Sequence, residues 1–133
     1  MIVMLIDLDD FKLVNDTHGH HVGDALLAEV AQRLRGSLRG RDMVARLGGD
    51  EFAVLLRDEP TPTTADTVAR RIRESLREPL HLPDESVSIR ASIGIGYSDD
   101  GSNLNQLLCH ADAAMYRAKR DGKASRLHPS ASG

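Results

Sequence analysis

The first run of the chain, residues 2–8, is almost continuously aliphatic and stops abruptly at acids. That pattern predicts a central strand buried on both faces. Strand alternation places Asp7 and Asp9 on one face and Leu8 on the other. Residues 11–17 read as a short helix ended by the region of Gly19. Val22, Leu26, Leu27, Val30, Ala31, Leu34 and Leu38 recur at helical spacing and predict a longer helix over 22–38. Two short apolar runs, 43–47 and 52–56, flank Gly48-Gly49-Asp50-Glu51 and predict a hairpin whose glycines supply positive φ. Pro60 and Pro62 mark a loop before a helix with Ala65, Val68, Ala69, Ile72 and Leu76 on one face. Over 87–95, Val87, Ile89, Ala91, Ile93 and Ile95 alternate with Ser88, Arg90, Ser92 and Gly94, which predicts a strand with one buried face. Asp99-Asp100-Gly101 reads as a turn. Leu104, Leu107, Leu108, Ala111, Ala114, Met115 and Ala118 mark a last amphipathic helix, followed by a short terminal strand near 125–127. The order β-α-α-β-β-α-β-α belongs to the α+β class: a mostly antiparallel central sheet with flanking helices.

Composition narrows the choice of function. With 133 residues there is room for one domain, assigned to 1–128, and the Ser-Ala-Ser-Gly end makes 129–133 a frayed tail. Seventeen Lys and Arg against twenty Asp and Glu leave a net charge of −3, which argues against a nucleic-acid partner. Two Phe, two Tyr and no Trp imply an aliphatic core and no stacking platform for single strands. Cys109 is the only cysteine, so an internal disulfide and a multi-cysteine zinc site are excluded, and its place on an apolar helix assigns it to the core. The longest apolar run, residues 1–6, is too short to span a bilayer. The expected setting is therefore a reducing, cytoplasmic one.

Asp7, Asp9 and Asp10 crowd the end of a buried strand, where carboxylates cost free energy unless something compensates them. Hard oxygen ligands suit Mg²⁺, which takes one or two carboxylates plus substrate phosphates. The alternative is a solvated strand end that caps the following helix. Asp50 and Glu51 sit just after two glycines, where a turn does not require two consecutive acids. If the hairpin lies beside the first strand, Asp50 approaches Asp7 and completes a two-carboxylate clamp. Gly48 and Gly49 would then let a nucleotide approach the backbone. A plain polar turn remains the competing reading. His18, His20 and His21 do not present one helical face for zinc, and Gly94-Ile95-Gly96 lacks the third glycine and helix start of a dinucleotide fingerprint.

Arg46-Leu47-Gly48-Gly49-Asp50-Glu51-Phe52 resembles the signature of the GGDEF domain, the diguanylate cyclase family. Asp7-Leu8-Asp9-Asp10-Phe11-Lys12, then Asn15-Asp16-Thr17-His18-Gly19-His20, then Gly23-Asp24 resemble the family's first block in order and spacing. Ser92-Ile93-Gly94-Ile95 resembles its later strand, and residues 111–119 resemble its last helix. The resemblance covers about residues 2–127.

It implies a ferredoxin-like, nucleotidyl-cyclase palm fold and the condensation of two GTP into cyclic di-GMP with release of two pyrophosphates. By position, Asp7, the Leu8 carbonyl and Asp50 would hold Mg²⁺ (or Mn²⁺) against the triphosphate. Asp50 is also the family's proton acceptor for the attacking 3′-hydroxyl, with Glu51 supporting the site. Asn15 and Asp24 would read guanine, and His20 and Phe11 would line the same pocket. Lys12, Lys119 and Lys123 would meet phosphates, Lys123 standing where the family often has Arg. Arg39-Gly40-Arg41-Asp42 resembles the Arg-x-x-Asp product-inhibition site, with Arg39 and Asp42 on cyclic di-GMP. The competing reading makes those arginines a basic helix end favoured by the helix dipole.

The family arranges two domains face to face, so a homodimer is implied, fused to a sensor domain in the parent protein. Family domains also carry a preceding helix and an Asp-x-Leu-Thr-Gly-Leu-x-Asn-Arg turn, which this sequence lacks. The expectation is therefore low or no activity in isolation. Two rivals stand beside the cyclase: a non-catalytic receptor for cyclic di-GMP or GTP, and another nucleotidyl transferase on the same two-carboxylate palm.

Overall fold

The computed structural model describes residues 1–57, 60–82, 85–97 and 103–127, the last seven by their backbone alone. The chain runs β1 (Ile2–Asp9), α1 (Phe11–His18), α2 (His20–Gly36), β2 (Met43–Gly48), β3 (Glu51–Leu56), α3 (Pro62–Arg77), β4 (Leu80–His81), β5 (Ser86–Val87), β6 (Arg90–Tyr97) and α4 (Leu104–Leu127). Four strands form one antiparallel sheet in the order β2-β3-β1-β6, and β4 and β5 make a separate small hairpin. The architecture is the α+β palm expected from the sequence.

The unbroken aliphatic run of β1 puts it inside the sheet with both faces covered. On one face Ile2, Met4, Ile6 and Leu8 join Phe52, Val54 and Leu56 of β3 beneath α2 and α3, which contribute Leu26, Val30, Leu34, Ala69 and Ile72. On the other face Val3 and Leu5 meet Leu107, Ala111 and Met115 of α4. The residues of β1 that continue this second face are Asp7 and Asp9. Alternation thus carries the carboxylates to the α4 side and leaves Leu8 in the larger core.

Several expectations are corrected. Val87 belongs to the hairpin with β4, and the long strand begins only at Arg90. That strand is covered on both sides, because α4 lies directly on its glycines. A Cβ added at Gly94 would stand 2.1 Å from the Ala111 carbonyl oxygen and 2.2 Å from the Met115 nitrogen, and one at Gly96 would stand 2.3 Å from the Leu107 carbonyl oxygen. Glycines read as polar positions in the alternation, although here they mark where a helix backbone comes closest. Gly94→Ala is therefore expected to lower stability by about 2 kcal/mol or more, since the colliding atoms are backbone and cannot rotate away; urea unfolding measures it.

The terminal strand near 125–127 is instead the end of α4, in a stretch with no β-branched residue. Cys109 is exposed, not in the core. The buried stripe of α4 follows Leu107, Ala111 and Met115, and a residue two places from Leu107 points away from it. The expected turn at Asp99-Asp100-Gly101 and the tail 129–133 lie outside the described residues. Among the described residues no helix is long and apolar enough to cross a membrane.

Candidate active site

The site forms where β1 ends against the β2–β3 hairpin. Asp7 pairs with Glu51 across the antiparallel ladder, and the Leu8 N–H donates to the Asp50 carbonyl at 3.0 Å. The hairpin turn needs its glycines: Gly48 and Gly49 have φ of 141° and 50°. The Arg46 guanidinium fastens this turn by donating to the Gly49 carbonyl at 3.1 and 2.9 Å. At the other side Asp10 adopts φ 61°, turning the chain from strand into α1 within one residue. Asp and Asn tolerate that left-handed conformation better than most residues, because their short polar side chains bond locally.

Asp7 and Asp50 converge. The Asp50 carboxyl is raised above its ordinary range by burial first and then by the nearby Asp7 charge. Glu51 is raised as well, by burial and then by Asp7, Asp112 and Asp50. The counter-charge is Lys119 of α4, whose ammonium bonds Asp7 Oδ2. Burial alone would lower the lysine, but the bond to Asp7 and the charges of Asp7, Asp9 and Asp50 hold it above its ordinary value. Asp9 is engaged elsewhere, accepting from the Ser92 hydroxyl at 2.9 and 3.3 Å.

A divalent cation fits the donors present. Asp7 Oδ1 is buried and has no hydrogen-bond partner, and its second oxygen already holds a cationic group. No set of three or more His, Cys, Asp or Glu side chains among the described residues forms a metal cage. Two carboxylates and a main-chain oxygen suit an ion that takes its remaining ligands from water and phosphate.

Toward the helices, Phe11 is buried at the start of α1, and Asn15 Oδ1 lies buried and unpartnered against Gly23 of α2. Asp24, one residue on, lines a cavity of about 490 Å³ between α2 and β2, together with Leu27, Ala28, Arg35, Arg46 and Phe52. Lys12 and His20 are exposed at the starts of α1 and α2. Lys123 falls on α4 one turn beyond Lys119.

Arg39 and Asp42 form a separate cluster. The helix ends at Gly36, so Arg39 and Arg41 lie beyond it and the dipole account of these arginines fails; Arg33 and Arg35 alone occupy the last turn. Arg33 instead reaches α3, donating to the carbonyls of Ser75 at 2.7 Å, Glu78 at 2.6 Å and Pro79 at 3.0 Å. Residues 39–42 make a turn in which the Asp42 carboxylate accepts from the Arg39 and Arg57 N–H groups, both at 3.4 Å. A hollow of about 300 Å³ beside them is also lined by Thr63, Thr64, Thr67 and Arg71 of α3. Sequence reading missed Arg71: it sits on the polar face of an ordinary amphipathic helix and carries no local sign of a site.

The antiparallel palm, the acidic strand end and the glycine turn beside it define a nucleotidyl-cyclase type of domain. The chain belongs to the GGDEF domain family of diguanylate cyclases, whose pattern it matches over residues 1–125. It is 48% identical over 122 residues to the bifunctional diguanylate cyclase/cyclic di-GMP phosphodiesterase MucR of Pseudomonas aeruginosa, covering 91% of this chain and 18% of MucR. The solved GGDEF domain of TpbB (YfiN) from the same organism superposes with a TM-score of 0.86 at 46% identity, over 90% of this chain and 76% of that one. The GGDEF domain of DgcB from Caulobacter crescentus, solved in complex with c-di-GMP, superposes with a TM-score of 0.84 at 30% identity, over 91% of this chain and 72% of that one. The chain thus spans less than a third of the length of curated relatives such as MucR and full-length TpbB.

Proposed function

We propose that this domain is the catalytic unit of a diguanylate cyclase, joining two GTP into cyclic di-GMP with loss of two pyrophosphates. The observation that carries the reading is the convergence of Asp7 and Asp50 on a cation-seeking site. In each half-reaction a ribose 3′-hydroxyl attacks the α-phosphorus of the partner GTP. The new P–O bond forms as the bond to pyrophosphate breaks, and the hydroxyl proton passes to a base.

Asp50 is that base. Its raised proton affinity makes it a better acceptor than an ordinary carboxylate. Asp7, the Leu8 carbonyl and Asp50 would hold Mg²⁺ (or Mn²⁺), which when bound neutralises charge on the phosphate oxygens. Glu51 adds negative potential behind this pair. Lys119, with Lys12 and Lys123, meets phosphate oxygens as point charges. Gly48 and Gly49 leave room for the nucleotide beside the backbone. Asn15 and Asp24 read the guanine edge, with Phe11 and His20 beside it.

One domain holds one GTP, so ring closure needs two domains face to face, and catalysis is largely the positioning of two reactants. Fusion to a sensor domain would control that encounter, a reading in keeping with the greater length of the relatives. Incubation of the parent protein with GTP and Mg²⁺ followed by chromatography tests the activity: cyclic di-GMP and pyrophosphate are expected. A parent protein that binds GTP but forms no product would leave the receptor reading in its place.

Arg39, Asp42 and Arg71 support a second proposed role, the binding of cyclic di-GMP as feedback inhibitor. A guanidinium matches guanine O6 and N7, and the carboxylate matches its N–H groups. Arg39→Ala is expected to raise the inhibitory concentration of cyclic di-GMP by about tenfold or more, the loss of one bidentate pair, with the uninhibited rate unchanged. Initial rates at increasing product concentration measure it.

A further inference from the structure

The notch at Gly23 performs a task the motif match does not assign. Gly23 is buried in the first turns of α2 and faces α1. A Cβ there would stand 1.7 Å from Asn15 Oδ1, 2.9 Å from Asn15 Cγ and 3.3 Å from Phe11 Cζ. The Asn15 oxygen therefore occupies the space that any other residue's side chain would fill. That oxygen is buried and accepts no hydrogen bond. It rests on the C–H side of a glycine, a place that suits an acceptor and repels an amide N–H₂. With its oxygen turned inward, the half-buried Asn15 side chain turns its N–H₂ outward.

We infer that Gly23 is a specificity-determining positioning residue, which holds the Asn15 amide carbonyl-inward so that its N–H₂ faces the carbonyl oxygen of a bound purine. This rests on the guanine reading of the preceding subsection and says how it is achieved. An outward donor matches guanine O6. It mismatches the 6-amino group of adenine, which also donates. Asp24, next in the chain, supplies the complementary acceptor for the ring N–H and 2-amino groups. Phe11 flanks the notch, its Cζ 3.3 Å from where a Cβ at Gly23 would stand.

Gly23→Ala separates this role from a structural one, because alanine in a helix interior is otherwise favoured by about 1 kcal/mol over glycine. The thermal midpoint of the variant is expected to be equal or higher. Its affinity for GTP is expected to fall by about tenfold, the loss of one well-placed hydrogen bond. Its affinity for 2-aminopurine riboside triphosphate, which lacks O6, is expected to stay as it was. In an Asn15→Ala background the same Gly23→Ala change is expected to alter neither affinity, since the group it displaces is gone. Calorimetry with both nucleotides supplies these values, and the NMR shift of the Asn15 side-chain amide reports its displacement without any ligand. Equal losses for both nucleotides, a loss that persists without Asn15, or an unmoved amide overturns the inference. Failure of the unsubstituted domain to bind GTP overturns the guanine reading instead, and the Gly23 claim is then decided by the amide shift alone.

Discussion

Asp50→Asn is expected to lower cyclic di-GMP formation by about 10³-fold or more, the joint loss of a proton acceptor and a charged metal ligand. The fold should survive. Asn matches Asp in size, and the turn is held by positive-φ glycines and by Arg46 bonded to the Gly49 carbonyl. The variant should also be no less stable than the parent at neutral pH without metal. The reason is the sign of the linkage. Asp50 has a raised pKa in the fold, so its ionisation opposes folding once the pH climbs past the ordinary value of 3.8. Removing the charge removes that opposition. Rate assays with melting curves at pH 5 and pH 8 check both parts. A variant that keeps more than a tenth of the parent rate would rule Asp50 out as the base.

Lys119→Met is expected to have the next largest effect, in two directions that share one cause. Turnover falls by about 10²-fold, because the cation proposed to meet the phosphates is lost. Stability without metal falls by about 1–2 kcal/mol at neutral pH, which is less than for a fully buried pair, since the lysine is about a third exposed. The pH dependence follows from the groups left behind. With Lys119 gone, Asp7, Asp50 and Glu51 face one another, and the deficit grows as the pH rises through the raised values of Asp50 and Glu51. It shrinks in acid as those two take up protons. The contribution of Lys119 itself is fully present below its ordinary value of 10.5 and is lost only above its raised one. Mg²⁺ should restore more stability to the variant than it adds to the parent, and thermal melts with and without Mg²⁺ at pH 5 and pH 8 measure this. A deficit independent of both pH and Mg²⁺ would mean that Lys119 acts only through packing.

The parts of this protein that are legible in its sequence are those where one physical demand acts alone. Residues 2–8 read correctly as a doubly buried strand because nothing but burial shapes that run. The glycine pair reads correctly as a hairpin because positive φ at Gly48 and Gly49 leaves few other choices. With β1 beside β3, the approach of Asp50 to Asp7 follows from strand pairing.

Legibility fails where a residue matters through what it lacks. Gly94 reads as part of the polar half of an alternating strand, whereas it and Gly96 are where the α4 backbone touches the sheet. Gly23 reads only as part of a motif block, and nothing local shows that its empty side holds Asn15. The strands β4 and β5 are two residues each, too short to carry a period, although Leu80 and Val87 are buried. Arg33 stands in the last turn of α2, yet it bonds the carbonyls of Ser75, Glu78 and Pro79, more than forty positions away. In each case the deciding partner lies on another element of the fold, and the pattern within one element has no access to it.

The sharpest measurement is a crystal structure of the domain with Mn²⁺ and a GTP analogue that cannot react, read by the anomalous signal of manganese. One metal peak is expected, bonded to carboxylate oxygens of both Asp7 and Asp50 and to the triphosphate, with the Lys119 ammonium moved from Asp7 to a phosphate oxygen. A nucleotide bound with no manganese at these two aspartates, or with Lys119 still seated on Asp7, would contradict it.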